Sequence, residues 1–223
     1  MTVLSRIFIN PQTRNGRKLL ANRQALHATV MAAFPPDALD DQDQRVLWRL
    51  DSEAYRHTLY VLSPVQPDFT HLVEQAGWHG QTWESTSYVP FLNQLTTGQR
   101  WAFRLTANPV KSIRRPGQRG TVVPHVTPEQ QIAWLLDRTA QRGFRILPVQ
   151  EFPEQADVQV NEIRNLSFER QHDPRQKKRV ALRIVQFDGS LEITDRQLFQ
   201  QSLTSGIGRA KAYGCGLMTL SRR

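Results

Sequence analysis

The chain has 223 residues, 39% of them hydrophobic and 22% charged, a globular composition that leaves room for one large domain or two small ones and excludes a collagen-like or wholly disordered chain. Its 29 Lys and Arg outweigh 20 Asp and Glu, for a net charge of +9, which favours a polyanionic partner. The single cysteine, Cys215, closes no intramolecular disulfide and builds no thiolate-rich metal site on its own.

No run reaches the roughly 18 apolar residues of a membrane-spanning helix, and the opening MTVLSRIFINPQT has neither the basic start nor the long apolar run of a signal peptide. A cytoplasmic location without membrane association is therefore expected. The charge is uneven: residues 1–110 carry 10 basic and 9 acidic side chains, whereas 111–223 carry 19 and 11. Arginine outnumbers lysine 24 to 5, and a guanidinium grips phosphate through a planar fork.

Thr2–Ile9 alternates apolar and polar residues and predicts a first strand, ended by Asn10-Pro11. From Arg17 to Phe34, Leu19, Leu26, Val30 and Phe34 recur at helical spacing and predict one long helix, stopped by Pro35-Pro36. Strands follow at Arg45–Leu50 and Arg56–Leu62, then a helix at Asp68–Ala76 and a fourth strand at Trp101–Thr106. The order βαββαβ is the ferredoxin-like arrangement, a four-stranded antiparallel sheet with two helices on one face.

Residues 107–128 hold four prolines, two glycines, four basic side chains and no acid, the composition of a connecting segment. Beyond it, a helix capped by Thr127 spans Pro128–Arg142, and strands fall at Asn161–Arg170 and Arg179–Phe187. Asp188-Gly189 reads as a tight turn into Leu191–Thr194, a helix covers Asp195–Leu203, and Leu217–Leu220 closes the chain as a strand. The second half thus has the makings of a degenerate repeat of the first. The expected fold class is α+β, with tandem ferredoxin-like domains at 1–106 and 129–223 joined by a linker at 107–128.

Three local signals carry chemistry. GIGRAKAYGCGL, Gly206–Leu217, concentrates four of the twelve glycines in eleven residues. Such a loop lets backbone N–H groups approach a phosphate at Gly206, Gly208, Gly214 and Gly216, with Arg209 and Lys211 adding charge. The alternative is a tight connection packed against a sheet. Its GxGxxxxxGxG spacing is not a dinucleotide fingerprint, and no GK[ST] follows.

His27 lies on the first helix with Arg23 one turn before it and Gln24 three residues before, so that the three share the polar side while Leu26 and Val30 face the core. Imidazole titrates near neutrality and can move a proton during phosphodiester cleavage. The bland reading is a surface histidine. No HxxxH or HExxH spacing occurs among the histidines, and no metal or organic cofactor is expected.

Basic side chains crowd Arg170, Arg175, Lys177, Lys178, Arg179 and Arg183 around QHDPRQKKRV, which reads as a hairpin tip suited to the major groove or the phosphates of an RNA helix. The alternative is a solvated hairpin. Residues 85–128 add six basic side chains, among them Lys111, Arg114 and Arg115, and no carboxylate.

Together, SRIFIN, the LH...FP helix with His27, RLTANPVKSI (Arg104–Ile113), EQQIAWL (Glu129–Leu135) and GIGRAKAYGCGLMTL resemble, in the same order, the CRISPR repeat-processing endoribonucleases of the CasE type, components of the type I-E Cascade complex. The resemblance spans nearly the whole chain and implies two tandem ferredoxin-like folds. It implies metal-independent cleavage of precursor crRNA at the 3′ base of a repeat stem-loop. The upstream 2′-OH attacks phosphorus to leave a 2′,3′-cyclic phosphate or 3′-phosphate and a 5′-OH. It also implies retention of the mature crRNA within Cascade, beside the backbone subunit nearest the crRNA 3′ end.

His27 matches the family's catalytic histidine. Where relatives often carry a tyrosine three residues earlier, this chain has Gln24, which hydrogen-bonds but does not titrate. Arg23, Gln24, Lys18 and Lys111 are candidate assisting groups. A noncatalytic RNA-hairpin-binding subunit is the rival reading.

Overall fold

The computed structural model describes residues 1–39, 45–113, 120–173 and 176–222, with side chains described outside 169–179. The chain divides into two compact units. One comprises Met1–Gln94, Thr204–Gly206 and Ala210–Leu217; the other comprises Leu95–Leu203, Ile207–Arg209 and Met218–Arg223.

In the first unit, strands β1 (Val3–Ile9), β2 (Leu47–Glu53), β3 (Arg56–Ser63) and β4 (Glu84–Ser87) form an antiparallel sheet of order β2-β3-β1-β4. Strand β1 buries every second residue, Val3, Ser5, Ile7 and Ile9, as a half-covered sheet requires. Helices α1 (Arg14–Ala21), α2 (Arg23–Met31) and α3 (Thr70–Ala76) supply Leu19, Leu26, Val30 and Leu72 to a core shared with Ile7, Ile9, Trp48 and Leu59. A smaller cluster joins Leu47, Leu62, Tyr88 and Leu217, with Phe91 and Leu92 of α4 (Val89–Gln94) against it.

The predicted long helix is two helices. Asn22 takes an extended conformation (φ −128°, ψ 103°) and its side-chain oxygen accepts from the N–H groups of Gln24 and Ala25. Asparagine thereby offers the backbone an alternative to helical continuation and restarts the chain as α2. The first sheet's fourth strand is β4, whose ESTS sequence has no apolar residue and is exposed throughout. The Trp101–Thr106 run lies instead in β5 (Arg100–Ala107), the opening strand of the second unit.

That unit holds β6 (Val110–Ile113), β7 (Thr121–Pro124), α5 (Pro128–Thr139), β8 (Phe144–Ile146), β9 (Val158–Asp173), β10 (Gln176–Ile193), most of α6 (Arg196–Ser205), and β11 (Met218–Ser221). Its sheet runs β11-β5-β10-β8, with β9 also on β10. Read from the other edge, β8-β10-β5-β11 repeats β2-β3-β1-β4: with the β6/β7 hairpin and β9 set aside as insertions and α1 and α2 counted together, each unit strings strand, helix, two strands, helix and strand. The protein is thus α+β with tandem ferredoxin-like folds. Thr127 caps α5, its hydroxyl accepting from Gln130 N–H. Trp134 stacks on Phe187 at 6.3 Å between centroids, and Phe144 meets Phe199 edge-on at 5.6 Å.

Two further expectations change. The segment read as a linker contains the β6/β7 hairpin. Asp188-Gly189 is no turn: β10 runs through it, Gly189 pairing with Val158 on one side and Phe103 on the other. A Cβ at Gly189 would collide with the Asp157 carbonyl oxygen, so this glycine serves a close backbone approach inside the sheet.

Candidate functional site

The i, i+3, i+7 spacing along α2 sets which of its side chains turn inward. Arg23, Leu26 and Val30 are buried, whereas Gln24 and His27 are half-buried. Arg23, expected on the polar side with His27, is instead only 4% exposed. Its guanidinium stacks over Trp48, 5.5 Å from the ring centroid, because a weakly hydrated planar cation tolerates an aromatic face. His27 Nδ1 is closed to solvent. Lys18, in the last turn of α1, is exposed.

Most of the glycine-rich segment, Gly206 and Ala210–Leu217, belongs to this unit. Gly206, Gly214 and Gly216 adopt φ of 77°, 82° and 96°, and Ala210 joins them at 61°. A Cβ at Gly206 would lie 2.8 Å from Leu47 Cδ2, and one at Gly214 would lie 2.6 Å from Trp48 Cζ3 and 2.9 Å from Arg23 Nη1. The space at these positions is taken up by close packing, which is the tight-connection reading. Lys211 Nζ donates to the Ser205 carbonyl at 2.6 Å, closing the first half of the segment. Lys211–Tyr213 forms a single 3-10 turn that packs against α2, so the segment and the helix bearing His27 meet within one unit.

Arg49 and Asp51 escaped sequence reasoning. Two residues apart on β2, they share one side of the strand and form a buried fork, Nε to Oδ1 at 2.7 Å and Nη2 to Oδ2 at 2.9 Å. Arg49 Nη1 also reaches the Leu217 carbonyl at 3.4 Å, holding the far end of the glycine segment. Alternating charge in LWRLDSE was the available signal. The Cys215 thiol is pushed up to about 12 by burial, with Arg23 pulling the other way, which leaves it un-ionised and unsuited to nucleophilic work.

In the second unit Lys111 is exposed on β6, Arg209 is exposed, and Gly208 lies against Trp134, 3.1 Å from Cη2 to a built Cβ. Arg183 is half-buried; its Nη2 donates to the Val126 carbonyl at 3.0 Å and its Nη1 to Asn165 Oδ1 at 3.3 Å. Strands β9 and β10 form the expected long hairpin, paired from Gly189↔Val158 out to Gln176↔Asp173. Arg114, Arg115 and Arg175 lie outside the described residues, as do the side chains of Arg170, Lys177, Lys178 and Arg179. Burial, with Lys111 and Arg138 nearby, holds the His125 imidazole below its ordinary value, against a weaker pull from Asp137.

Among known proteins, the CRISPR-associated endoribonuclease Cse3 of Thermus thermophilus is 33% identical over 221 residues, spanning 98% of this chain and 99% of its own length. The Cascade subunit CasE of Escherichia coli K12 is 30% identical over 144 residues, 61% of this chain and 64% of its own. A solved structure of the Cse3 endoribonuclease bound to a 19-nucleotide RNA superposes with a TM-score of 0.81 at 31% identity, covering 98% of this chain and 99% of that one. Residues 3–222 match the family model described as CRISPR associated protein, and the chain belongs to that family.

Proposed function

We propose that this protein is a metal-independent endoribonuclease that binds CRISPR repeat stem-loops, cleaves precursor crRNA at the 3′ base of the hairpin, and stays on the mature crRNA as a subunit of Cascade in the cytoplasm. The observation that carries the reading is the packing of the Lys211–Tyr213 turn against the helix bearing His27. It joins a titratable imidazole to the glycine-rich segment within one unit. The near full-length likeness to a Cse3 endoribonuclease with RNA bound supports the same substrate class.

In the reaction the upstream 2′-oxygen forms a bond to phosphorus as its proton departs, and the bond from phosphorus to the 5′-oxygen breaks as that oxygen is protonated. The products are a 2′,3′-cyclic phosphate and a 5′-OH, with no water consumed. His27 takes the proton from the 2′-OH or supplies the one on the 5′-oxygen; such transfer is worth about 10² to 10⁴-fold in rate. Lys18 and Lys111, both exposed, are candidate ammonium groups for the phosphate. Arg23, stacked on Trp48, instead positions α2. Gln24, where relatives often have tyrosine, contributes hydrogen bonding alone.

The test is single-turnover cleavage of a repeat stem-loop in EDTA. His27→Ala loses a factor on the order of 10² or more in rate while keeping affinity within about threefold. Unchanged cleavage would overturn the assignment. End-group analysis of the products separates an enzyme from a noncatalytic hairpin binder.

A further inference from the structure

A cleft of about 540 Å³ opens in the second unit between the two hairpins, β6/β7 on one side and β9/β10 on the other. Val110, Val122 and Pro124 form one wall and Leu182 lies in the opposite one. Asn108, only 6% exposed, also lines it, and its Oδ1 is buried with no hydrogen-bond partner among the described residues. Arg183 lines it too, its Nε equally buried and without a partner among those residues.

A buried acceptor and a buried donor without partners among the described residues, on two side chains that line one cleft, are costly in the empty protein, and an occupant that offers both complements as those side chains adjust relieves the cost. Arg183 is anchored beside the cleft, its two terminal nitrogens donating to Asn165 and to the Val126 carbonyl. The volume lies within the range of about 300–1,000 Å³ common to small-ligand sites.

Charge indicates which occupant fits. Residues 85–128, which include β6 and β7, contain six basic side chains and no carboxylate, and Lys111 is exposed beside Val110 on β6. A polyanion is drawn to these strands, and its unstacked bases carry flat apolar faces with hydrogen-bonding edges. The structure assigns the cleft between the β6/β7 and β9/β10 hairpins to one unpaired nucleobase of the bound RNA, held between aliphatic walls and read at its edge by Asn108 Oδ1 and Arg183 Nε. This rests on the proposed function and adds to it a base-reading pocket separate from the cleavage residues. Single-stranded RNA is recognised in this way, by bases splayed into pockets and bonded at their edges.

The experiment is an abasic scan of the unpaired nucleotides flanking a repeat stem-loop, made 2′-deoxy at and beside the 3′ base of the stem so that no attack occurs. Binding is read by fluorescence anisotropy at fixed salt. With the unaltered chain, one abasic position weakens binding on the order of tenfold. With Asn108→Ala the complete RNA binds about tenfold more weakly, and the step at that position disappears.

Leu182→Trp, which fills the cleft without removing a polar group, gives the same loss of the step and guards against an Asn108 variant that fails to fold. Thermal melting checks both chains. If every abasic step is the same size in all three chains, the cleft holds no base and the assignment falls, while stem-loop binding and cleavage in EDTA still stand. A cleft variant that leaves RNA untouched but abolishes binding of a Cascade backbone subunit overturns it in favour of a protein segment. If the unaltered chain binds no stem-loop at all, the proposed function falls with it.

Discussion

The guanidinium of Arg23 sits over the ring of Trp48, 5.5 Å from its centroid, and Gly214 occupies the remaining space beside them. A Cβ at Gly214 would lie 2.6 Å from the indole and 2.9 Å from Arg23 Nη1, at a φ of +82°. Gly214→Ala therefore meets two penalties, roughly 1–2 kcal/mol for a left-handed backbone and roughly 1–3 kcal/mol for overpacking. Chemical unfolding of the full chain is expected to show a loss of at least about 2 kcal/mol. A change within about 0.5 kcal/mol, the size of an ordinary surface substitution, contradicts the packing role.

Asp51 is the counter-ion of a guanidinium that is 2% exposed. Asp51→Ala leaves the Arg49 charge without that partner in a low-dielectric site, and removing one member of a buried pair costs about 3–5 kcal/mol. The double variant Arg49→Met with Asp51→Leu removes the charge itself and recovers most of that loss. Equal instability of the single and double variants would show that the fork does not hold β2 through its charges.

How much of this could be read in the chain follows from the kind of signal each element leaves. Strand β1, helix α5 with its Thr127 cap, and the glycine-rich segment were legible because alternation, helical spacing and glycine density are local properties. Strand β4 was not, since ESTS forms an edge without burying anything. The Trp101–Thr106 strand was found but given to the wrong sheet, because its partners β10 and β11 lie about 80 and 115 residues away and pairing at that distance leaves no local trace. For the candidate site, His27 and Gly206–Leu217 were singled out separately, while the burial of Arg23 follows from its place in line with Leu26 and Val30 and from Trp48 lying beneath it. Helical spacing already put Arg23 in line with Leu19, Leu26 and Val30; grouping it by charge with His27 put it on the wrong side.

Asp188, in the middle of β10, accepts from Arg104 Nε at 2.6 Å, Asn161 Nδ2 at 2.5 Å and Gln186 Nε2 at 2.8 Å. Burial works against its charge, but these bonds outweigh burial and hold the carboxyl below its ordinary 3.8. Its contribution to stability is thus complete above about pH 4 and fades as pH falls toward the lowered folded-state value. Asp188→Asn is expected to cost about 1–2 kcal/mol at neutral pH, with the gap to the unaltered protein narrowing below pH 4. A gap that stays constant through that range would mean that the carboxylate's charge is not what the three donors stabilise.

The ribbon formed by β9 and β10 yields the last prediction. Strand β10 pairs with β5 from Val185 to Glu192 and with β8 from Leu191 to Ile193. Residues Gln176–Ile184 therefore have β9 as their only ladder partner among the described residues. At about 3.4 Å per residue this two-stranded stretch extends on the order of 30 Å beyond the sheet, a reach comparable to one turn of a nucleic-acid helix. Lys177, Lys178 and Arg179 lie at its outer end in sequence. Each phosphate neutralised adds about 0.7 to 0.9 to the slope of log affinity against log salt. Replacing all three by Gln is thus expected to lower that slope by about 2–3 and to weaken stem-loop binding at least about tenfold at low salt, with the rate of cleavage at saturating protein preserved. An unchanged slope would remove the ribbon from the RNA-binding surface and leave its charges to solvation.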